Sequence, residues 1–266
     1  MEARPFYDPQ AHGAHCERCV LRTMRGLDLP VGPEKHPGAK IALIAEAPGE
    51  DESRFGRPLV GKSGMEEMRA LEAIGLRRGD FHWTNALQCR PPKNRLERAL
   101  ARVRAKNKVV RDENERTTEV NRERRKQGLD KLPLKDLVPT PLDCCRPRLM
   151  RELHEAGVEN IIALGKASLQ GIDTSHRRGI LAVRGMPVHM TWATAKDLNG
   201  NSYPSLFRPL EKDPAAWTHE ERGGHVKVLP TVHPAFVLRA GRWRQAFHND
   251  HQRALMLFDD SWEWQA

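Results

Sequence analysis

The chain has 266 residues, of which 39% are apolar, and a formal net charge of +9 at a mean hydropathy of −0.66. No apolar run approaches the roughly 20 residues of a membrane span, and the first residues lack a leader pattern, so we expect a soluble cytoplasmic protein without membrane contact. A pI of 9.6 favours an acidic partner, nucleic acid first, although a basic surface alone would give the same charge.

Four short apolar runs alternate along the chain with segments of helical spacing. Each run is followed closely by Gly, Pro, Asn or His, and the runs cover residues 40–45, 81–87, 160–164 and 226–232. This alternation predicts a parallel sheet covered by helices on both faces. We expect one domain over residues 1–266.

A loop rich in glycine and proline follows the first apolar run, over residues 45–64. Its second residue is a carboxylate, Glu46. Ligands bind beyond the carboxyl ends of strands in open α/β sheets, and glycines there let the backbone approach them closely. The loop is therefore predicted to belong to a catalytic site.

Two stretches interrupt the alternation. Residues 93–137 hold 15 Lys or Arg and 8 Asp or Glu, a balance of +7 within the net charge of +9. Their short apolar stripe at Leu96, Leu100 and Val103 is followed by mostly charged residues. This pattern suits either a solvated, partly disordered helical excursion or an arm that contacts nucleic-acid phosphates.

The second of these stretches, residues 194–225, is polar with scattered aromatics and predicts a long irregular surface loop.

Five cysteines occupy three places in the chain. Cys16 and Cys19 form a C-x2-C pair, Cys89 follows the second apolar run, and Cys144 and Cys145 are adjacent before a predicted helix. Four thiolates from three places suit a zinc ion or an iron–sulfur cluster, and the spacing does not separate the two. Buried cysteines without a metal are the remaining interpretation. Since adjacent side chains diverge, only one cysteine of the adjacent pair is expected to be a ligand.

Three polar residues stand at the ends of predicted strands: Glu46, Asn85 and His233. Singly, they suit a helix cap, a turn residue and a buried histidine bonded to backbone. If the strands are parallel, all three meet at one edge of the sheet. An amide can read a base edge, an imidazole can donate to a leaving group, and a carboxylate can orient water or steady a cationic sugar. Together they suggest cleavage of a bond between sugar and base.

Four segments resemble the uracil-DNA glycosylase superfamily, and within it the family 4 branch, which carries an iron–sulfur cluster. They are, in the order of that family, residues 46–49, 56–64, 84–95 and 231–239. The resemblance implies a three-layer α/β/α sandwich with a roughly four-stranded parallel sheet. We further expect a bacterial, archaeal or phage-encoded, nucleoid-associated protein that acts on DNA as a monomer, with no obligate protein partner evident.

The same resemblance implies a structural [4Fe–4S] cluster on Cys16, Cys19, Cys89 and Cys145, with Cys144 spare. It implies a nucleotide flipped out of the duplex. Asn85 would read the base edge, His233 would bond the pyrimidine O2, and Glu46 would orient water or stabilise the sugar cation. By the same resemblance, further residues line the base or contact DNA: Ala47 and Leu59 at the base, and Lys62, Ser63, Arg95, Pro234, Leu238 and Arg239 on DNA, with Leu238 and Arg239 as wedges.

The chain departs from the family at informative places. Leu59 replaces a phenylalanine that stacks on uracil, which gives up part of roughly 1–3 kcal/mol of stacking and opens room; Phe55 is a candidate to compensate. The insertion after Asn94 is atypical and holds no histidine between Lys93 and Asp143, so the covalent mechanism of a related branch is not expected. We therefore expect a monofunctional glycosylase for uracil or for a bulkier modified pyrimidine such as hypermodified phage cytosine, with a role in phage defence in the latter case.

Two other functions fit the sequence. A non-catalytic, cluster-bearing DNA-binding module of replication or repair would use the basic stretch and release no base. A hydrolase acting on RNA or on free nucleotides is less favoured, because small substrates do not require a basic arm.

Overall fold

The structure is a computed structural model that describes residues 6–24, 28–208 and 225–258. Its strands form one six-stranded sheet in the order β2-β1-β3-β6-β4-β5. They span Ile41–Ala45 (β1), Phe81–Asn85 (β2), Asn160–Leu164 (β3), Val188–Lys196 (β4), Ser202–Phe207 (β5) and His225–Thr231 (β6). Strands β2, β1, β3 and β6 are parallel, whereas β4 runs antiparallel to β6 and β5. The predicted parallel sheet is confirmed, with two antiparallel strands added at one edge.

Helices cover both faces of the sheet. They are α1 Glu50–Phe55, α2 Lys62–Glu72, α3 Leu96–Lys126, α4 Pro141–Glu155, α5 Lys166–Ile172, α6 Pro234–Arg239 and α7 Arg244–Phe258. Side chains alternate across a strand, so Ala42 and Ile44 pack with α3, α4 and α5, while Leu43 and Ala45 pack with α2, α6 and α7. The expected three-layer α/β/α sandwich is confirmed.

The parallel strands end together at one edge of the sheet. Ala45 is paired with Asn85 in register, and Leu164 with Thr231. The loops that follow β1, β2, β3 and β6 therefore leave the sheet side by side. This is the edge at which an open parallel sheet binds its ligand.

The prediction of an irregular loop over residues 194–225 is wrong for the first part of that stretch. Residues 188–207 form an antiparallel hairpin, β4 and β5, that closes at Asp197–Asn201 and packs β5 against α4. Tyr203 and Ser205 are buried at alternate positions of β5 and so share one face of the strand, while Leu206 is buried on the other face. The rest of the predicted loop, from 209 to 224, lies outside the described residues.

The basic insertion forms one continuous helix. The apolar stripe at its start does not fade into disorder, because α3 runs for 31 residues from Leu96 to Lys126. The chain then turns at Gly128, whose φ is +71°, and returns along the helix as an extended segment, residues 129–140. We call this segment the strap, and α3 with the strap the arm.

In the described ranges, no helix combines the length and the apolar character needed to cross a membrane.

Candidate active site and cysteine cavity

A cleft of about 280 Å³ opens at the carboxyl edge of the parallel strands. The structure brings Glu46, Asn85 and His233 together in its walls, one from each of the ends of β1, β2 and β6. Other residues singled out in the sequence also line it: Ala47, Leu59, Ser63 and Arg239. Polar groups from the ends of three strands thus line one cleft, which is large enough for a small ligand.

Glu46 lies half-buried directly after β1. Its backbone oxygen accepts a hydrogen bond from the N–H of Leu87 at 3.0 Å, which ties the start of the loop to the chain beyond β2. Burial raises the pKa of Glu46 to about 7; the charge of Glu97 adds to this shift and that of Arg239 opposes it. Near neutral pH, the carboxyl group is therefore close to its midpoint of ionisation.

His233 caps the N-terminus of α6. Its Nδ1 accepts a hydrogen bond from the backbone N–H of Ala235 at 3.1 Å, so the neutral ring carries its proton on Nε2. Burial lowers the pKa of His233 to about 4, with the positive charge of Arg239 contributing. The ring is thus a neutral N–H donor at physiological pH.

Gly165, which follows β3, makes room for this histidine. Its φ is +88°, and a Cβ built on it would lie 3.1 Å from the Cβ of His233. A side chain here would be strained and would press on the His233 backbone. The sequence analysis did not single out Gly165, although a glycine directly after a buried strand was the available signal.

Asn85 ends β2 and is 1% exposed. Its backbone oxygen accepts a hydrogen bond at 2.7 Å from Arg148 of α4, and Arg148 is held in turn by Glu152 at 2.7 Å. The side-chain Nδ2 of Asn85 is buried and has no hydrogen-bond partner within the described part of the chain. An unsatisfied buried donor costs roughly 1–3 kcal/mol, so this amide is prepared for a ligand that accepts from it.

Glu52 holds the loop after β1 in shape. One carboxylate oxygen accepts from the backbone N–H groups of Val60 and Gly61 at 3.0 and 2.8 Å, and the other accepts from Gly49 at 3.0 Å. Leu59, buried with a φ of +50°, is thereby fixed as an apolar wall of the cleft. The sequence analysis missed Glu52, whose spacing of three residues from Gly49 is that of a capping box.

Residues 33–255 match the family model of the Uracil DNA glycosylase superfamily. The chain belongs to this superfamily. Membership confirms the family expected from the sequence, and with it the enzyme class, DNA glycosylase.

Several curated members of the superfamily are similar to this chain. The Type-4 uracil-DNA glycosylase of Archaeoglobus fulgidus is 26% identical over 239 residues, 90% of this chain and 85% of that relative. The Type-4 enzyme of Thermotoga maritima is 25% identical over 226 residues, covering 84% and 78% of the two chains. The Type-4 enzyme of Pyrobaculum aerophilum is 41% identical over a shorter stretch of 81 residues, 30% of this chain and 40% of the relative.

In this superfamily member all five cysteines line a second cavity, of about 370 Å³: Cys16, Cys19, Cys89, Cys144 and Cys145. Burial raises the pKa of Cys16 to about 11, and burial together with the neighbouring thiols raises the pKa of Cys89. Cys144, expected to be spare, shares a hydrogen bond with Cys19. Within the described ranges, no three His, Cys, Asp or Glu side chains are grouped closely enough to hold a metal ion. The structure gathers the thiols but does not define a ligand set.

Five predicted residues lie outside the lining of the active-site cleft. Phe55 ends α1 with 53% of its side chain exposed. Lys62 and Arg95 are exposed at the start of α2 and just before α3. In α6, Pro234 is buried, whereas Leu238 is 42% exposed next to the cleft residue Arg239.

Proposed function

We propose that the protein hydrolyses the N-glycosidic bond of a pyrimidine flipped out of DNA and leaves an abasic site. The observation that carries the proposal is the cleft in which Glu46, Asn85 and His233 meet, within a member of the Uracil DNA glycosylase superfamily. Flipping a nucleotide costs a few kcal/mol, and hydrogen bonds from the polar groups of the cleft to the base would offset this cost.

Asn85 recognises the base. Its buried amide offers a donor and an acceptor side by side, which match a carbonyl oxygen and the adjacent ring N–H of a pyrimidine. The support for this role is the unpartnered Nδ2 at the end of β2. Because its backbone is held by Arg148 at 2.7 Å, the amide is positioned before the base arrives.

His233 stabilises the departing base. As the glycosidic bond breaks, negative charge develops on the pyrimidine O2, and the Nε2–H of a neutral imidazole can donate to it. The pKa of about 4 keeps the ring neutral, and the bond from Ala235 to Nδ1 keeps the proton on Nε2.

Glu46 acts on the sugar side of the bond. Its ionised form stabilises the oxocarbenium-like sugar or orients the attacking water. Because its pKa is raised to about 7, the ionised fraction grows as pH rises through neutrality. Base release is therefore expected to increase over the same range.

The base itself is uracil or a bulkier modified pyrimidine such as hypermodified phage cytosine. The support for the bulkier base is Leu59, which forms a cleft wall where the family has a stacking phenylalanine, while Phe55 does not reach the cleft. A modified base as substrate would place the enzyme in defence against phages that carry it.

A [4Fe–4S] cluster held by Cys16, Cys19, Cys89 and Cys145 belongs to the same proposal. Four thiols that line one cavity have the donor chemistry of such a cluster. When bound, it would cross-link the N-terminal segment, the chain after β2 and α4. Its role is structural, since the cysteines line a different cavity from the residues that act on the base.

The decisive experiment is a base-release assay on matched duplexes that contain uracil, hypermodified cytosine or only the four ordinary bases. Alkaline cleavage at abasic sites is expected with one of the first two duplexes and is expected to disappear in a Glu46→Gln variant. Cleavage of uracil DNA alone would exclude the modified base. Tight DNA binding without release from any duplex would instead support a non-catalytic DNA-binding module.

A further inference from the structure

Hydrogen bonds tie the strap of the arm to α3 along its length. Three asparagines of α3, spaced seven residues apart, each exchange two hydrogen bonds with the backbone of one strap residue at 2.7–2.9 Å: Asn107 with Val138, Asn114 with Lys135, and Asn121 with Leu132. We call these three pairs the asparagine ladder. Seven helical residues rise about 10.5 Å and three extended residues about 9.3 Å, so the two spacings nearly match.

The sequence of the strap favours the extended conformation that the ladder needs. Leu132 and Val138 each precede a proline, and a residue before proline avoids the helical region. The asparagines pair the backbone N–H and C=O of Leu132, Lys135 and Val138, so the strap is tied to the helix at three points. The ladder therefore fixes the backbone of the strap relative to that of α3.

Charge is unevenly distributed along α3. Residues 98–111 carry six Lys or Arg and no Asp or Glu, whereas residues 112–126, the rest of α3, carry five Asp or Glu and five Lys or Arg. All six cations of the first half are exposed, and in the described part of the chain none of them forms an ion pair. In the distal region, Glu123 pairs with Lys126 at 2.7 Å and Glu113 with Lys135 of the strap at 2.8 Å.

The first half of α3 presents a shallow channel to solvent. Residues four apart on a helix lie above one another, so Ala101, Ala105 and the 57% exposed Val109 form one row. Two basic rows flank it: Arg98, Arg102 and Lys106 on one side, and Arg104, Lys108 and Arg111 on the other. Small side chains in the middle allow a close approach to a chain of anions that the flanking cations can bind.

This basic half begins at the active-site cleft. Glu97, in the first turn of α3, lines the cleft together with Pro91 and Asn94, which precede the helix. The 14 residues from 98 to 111 extend about 21 Å from there. That length corresponds to about six base pairs of duplex, at roughly 3.4 Å for each phosphate of one strand.

We propose that the basic first half of α3, residues 98–111, binds the phosphate backbone of duplex DNA next to the flipped nucleotide. The distal half of α3, in which acidic and basic residues balance, is directed away from the duplex. The inference rests on the proposed DNA substrate of the cleft, and it assigns to the inserted arm a part of the DNA interface that the catalytic loops do not supply.

The test is the salt dependence of binding, measured by fluorescence anisotropy with the full chain and an undamaged 30-base-pair duplex. A variant with Arg102→Ala, Lys106→Ala and Lys108→Ala is compared with the wild type. Each lost phosphate contact lowers the magnitude of the slope of log K against log salt by about 0.9, so we expect a fall of about 2 to 3 with weaker binding. Alanine preserves the helix, and circular dichroism checks its helix content.

The matched control removes the same charge from the other end of the arm, with Arg116→Ala, Arg122→Ala and Arg125→Ala. Its slope is expected to equal that of the wild type. Equal slopes in all three proteins, or equal losses in the two variants, would overturn the inference. Since the probe contains no substrate base, a failure of the proposed base release would leave this result unaffected, and the two proposals fail separately.

Discussion

Glu97 and Glu46 line the same cleft, and the negative charge of Glu97 raises the pKa of Glu46. Glu97 belongs to the inserted arm, whereas Glu46 belongs to the loop after β1. The insertion therefore contributes to the electrostatics of the candidate active site as well as to its surroundings.

Removal of the Glu97 charge should shift the pH dependence of base release. In Glu97→Gln, ionisation of Glu46 meets less repulsion, so the pKa of Glu46 falls from about 7 and activity begins at lower pH. The shift is partial, because burial is the larger cause. Single-turnover rates from pH 5 to 9 measure it, with the charge-preserving Glu97→Asp as control. An unchanged pH profile in Glu97→Gln would show that repulsion between Glu97 and Glu46 does not set the pH dependence of base release.

His233→Ala should lower the rate of base release by about 10²–10³, the usual loss when one donor to a developing oxyanion is removed. Since its pKa is lowered to about 4, protonation of His233 should cause no change in rate between pH 5.5 and 8. His189→Ala, in β4 and outside the cleft lining, is the matched control and should retain wild-type rates. A similar loss in both variants would contradict the proposed role of His233 as a donor to the departing base.

Leu59→Phe should restore a stacking surface in the cleft. Stacking of a base on an aromatic ring contributes roughly 1–3 kcal/mol, so kcat/KM for uracil should increase while that for a bulkier base decreases. Leu59→Met conserves volume and should leave the ratio between the two substrates unchanged. Competition between the two substrates in one reaction measures the ratio directly. A parallel increase for both bases would contradict the proposed role of Leu59.

Gly64→Ala should destabilise the protein, although alanine normally stabilises a helix relative to glycine by about 1 kcal/mol. Gly64 is the third residue of α2, and a Cβ on it would lie 1.9 Å from the backbone oxygen of Leu59, so the wall of the cleft must move. Overpacking of this kind costs about 1–3 kcal/mol. Thermal unfolding measures the loss. Gly79→Ala, where the added Cβ meets nothing within 4 Å, is the control and should have a near-normal Tm.

Substitution of the two adjacent cysteines should separate their roles. Iron–sulfur clusters absorb at roughly 400 nm. Cys145→Ser is expected to abolish this absorbance and to lower the Tm. Cys144→Ser is expected to retain the absorbance, because the proposed ligand set does not include Cys144. The reverse outcome would assign Cys144 as the fourth ligand, and colourless wild-type protein with bound zinc would exclude the cluster.

The parallel sheet could be predicted because its strands are short apolar runs that end in turn residues. The β4–β5 hairpin could not, since it is an edge ribbon whose β4 has a single buried residue, Met190, and whose β5 contains Pro204. The continuous helix α3 was also missed, because asparagines occupy the positions where an apolar stripe would continue. Those asparagines bind the backbone of a segment distant in sequence, and composition gives no sign of such pairing.

The candidate site, like the fold, could be predicted in part from the sequence. Glu46, Asn85 and His233 could be found because polar residues after parallel strands meet at one edge. Glu97 could not, since it is one of many charged residues of the insertion and reaches the cleft only through the direction in which α3 starts. The part of the Glu46 pKa shift that comes from Glu97 therefore depends on the folded arm, which local sequence does not encode.

The asparagine ladder restricts how the arm can change in length. A shift of the strap by one residue would break all six hydrogen bonds at once, so the ladder disfavours one-residue changes of register. Single-residue insertions or deletions between Leu132 and Val138 would be selected against. Homologous arms should instead differ in units of seven helical residues matched by three strap residues, so that natural length variants would have a recognisable periodicity.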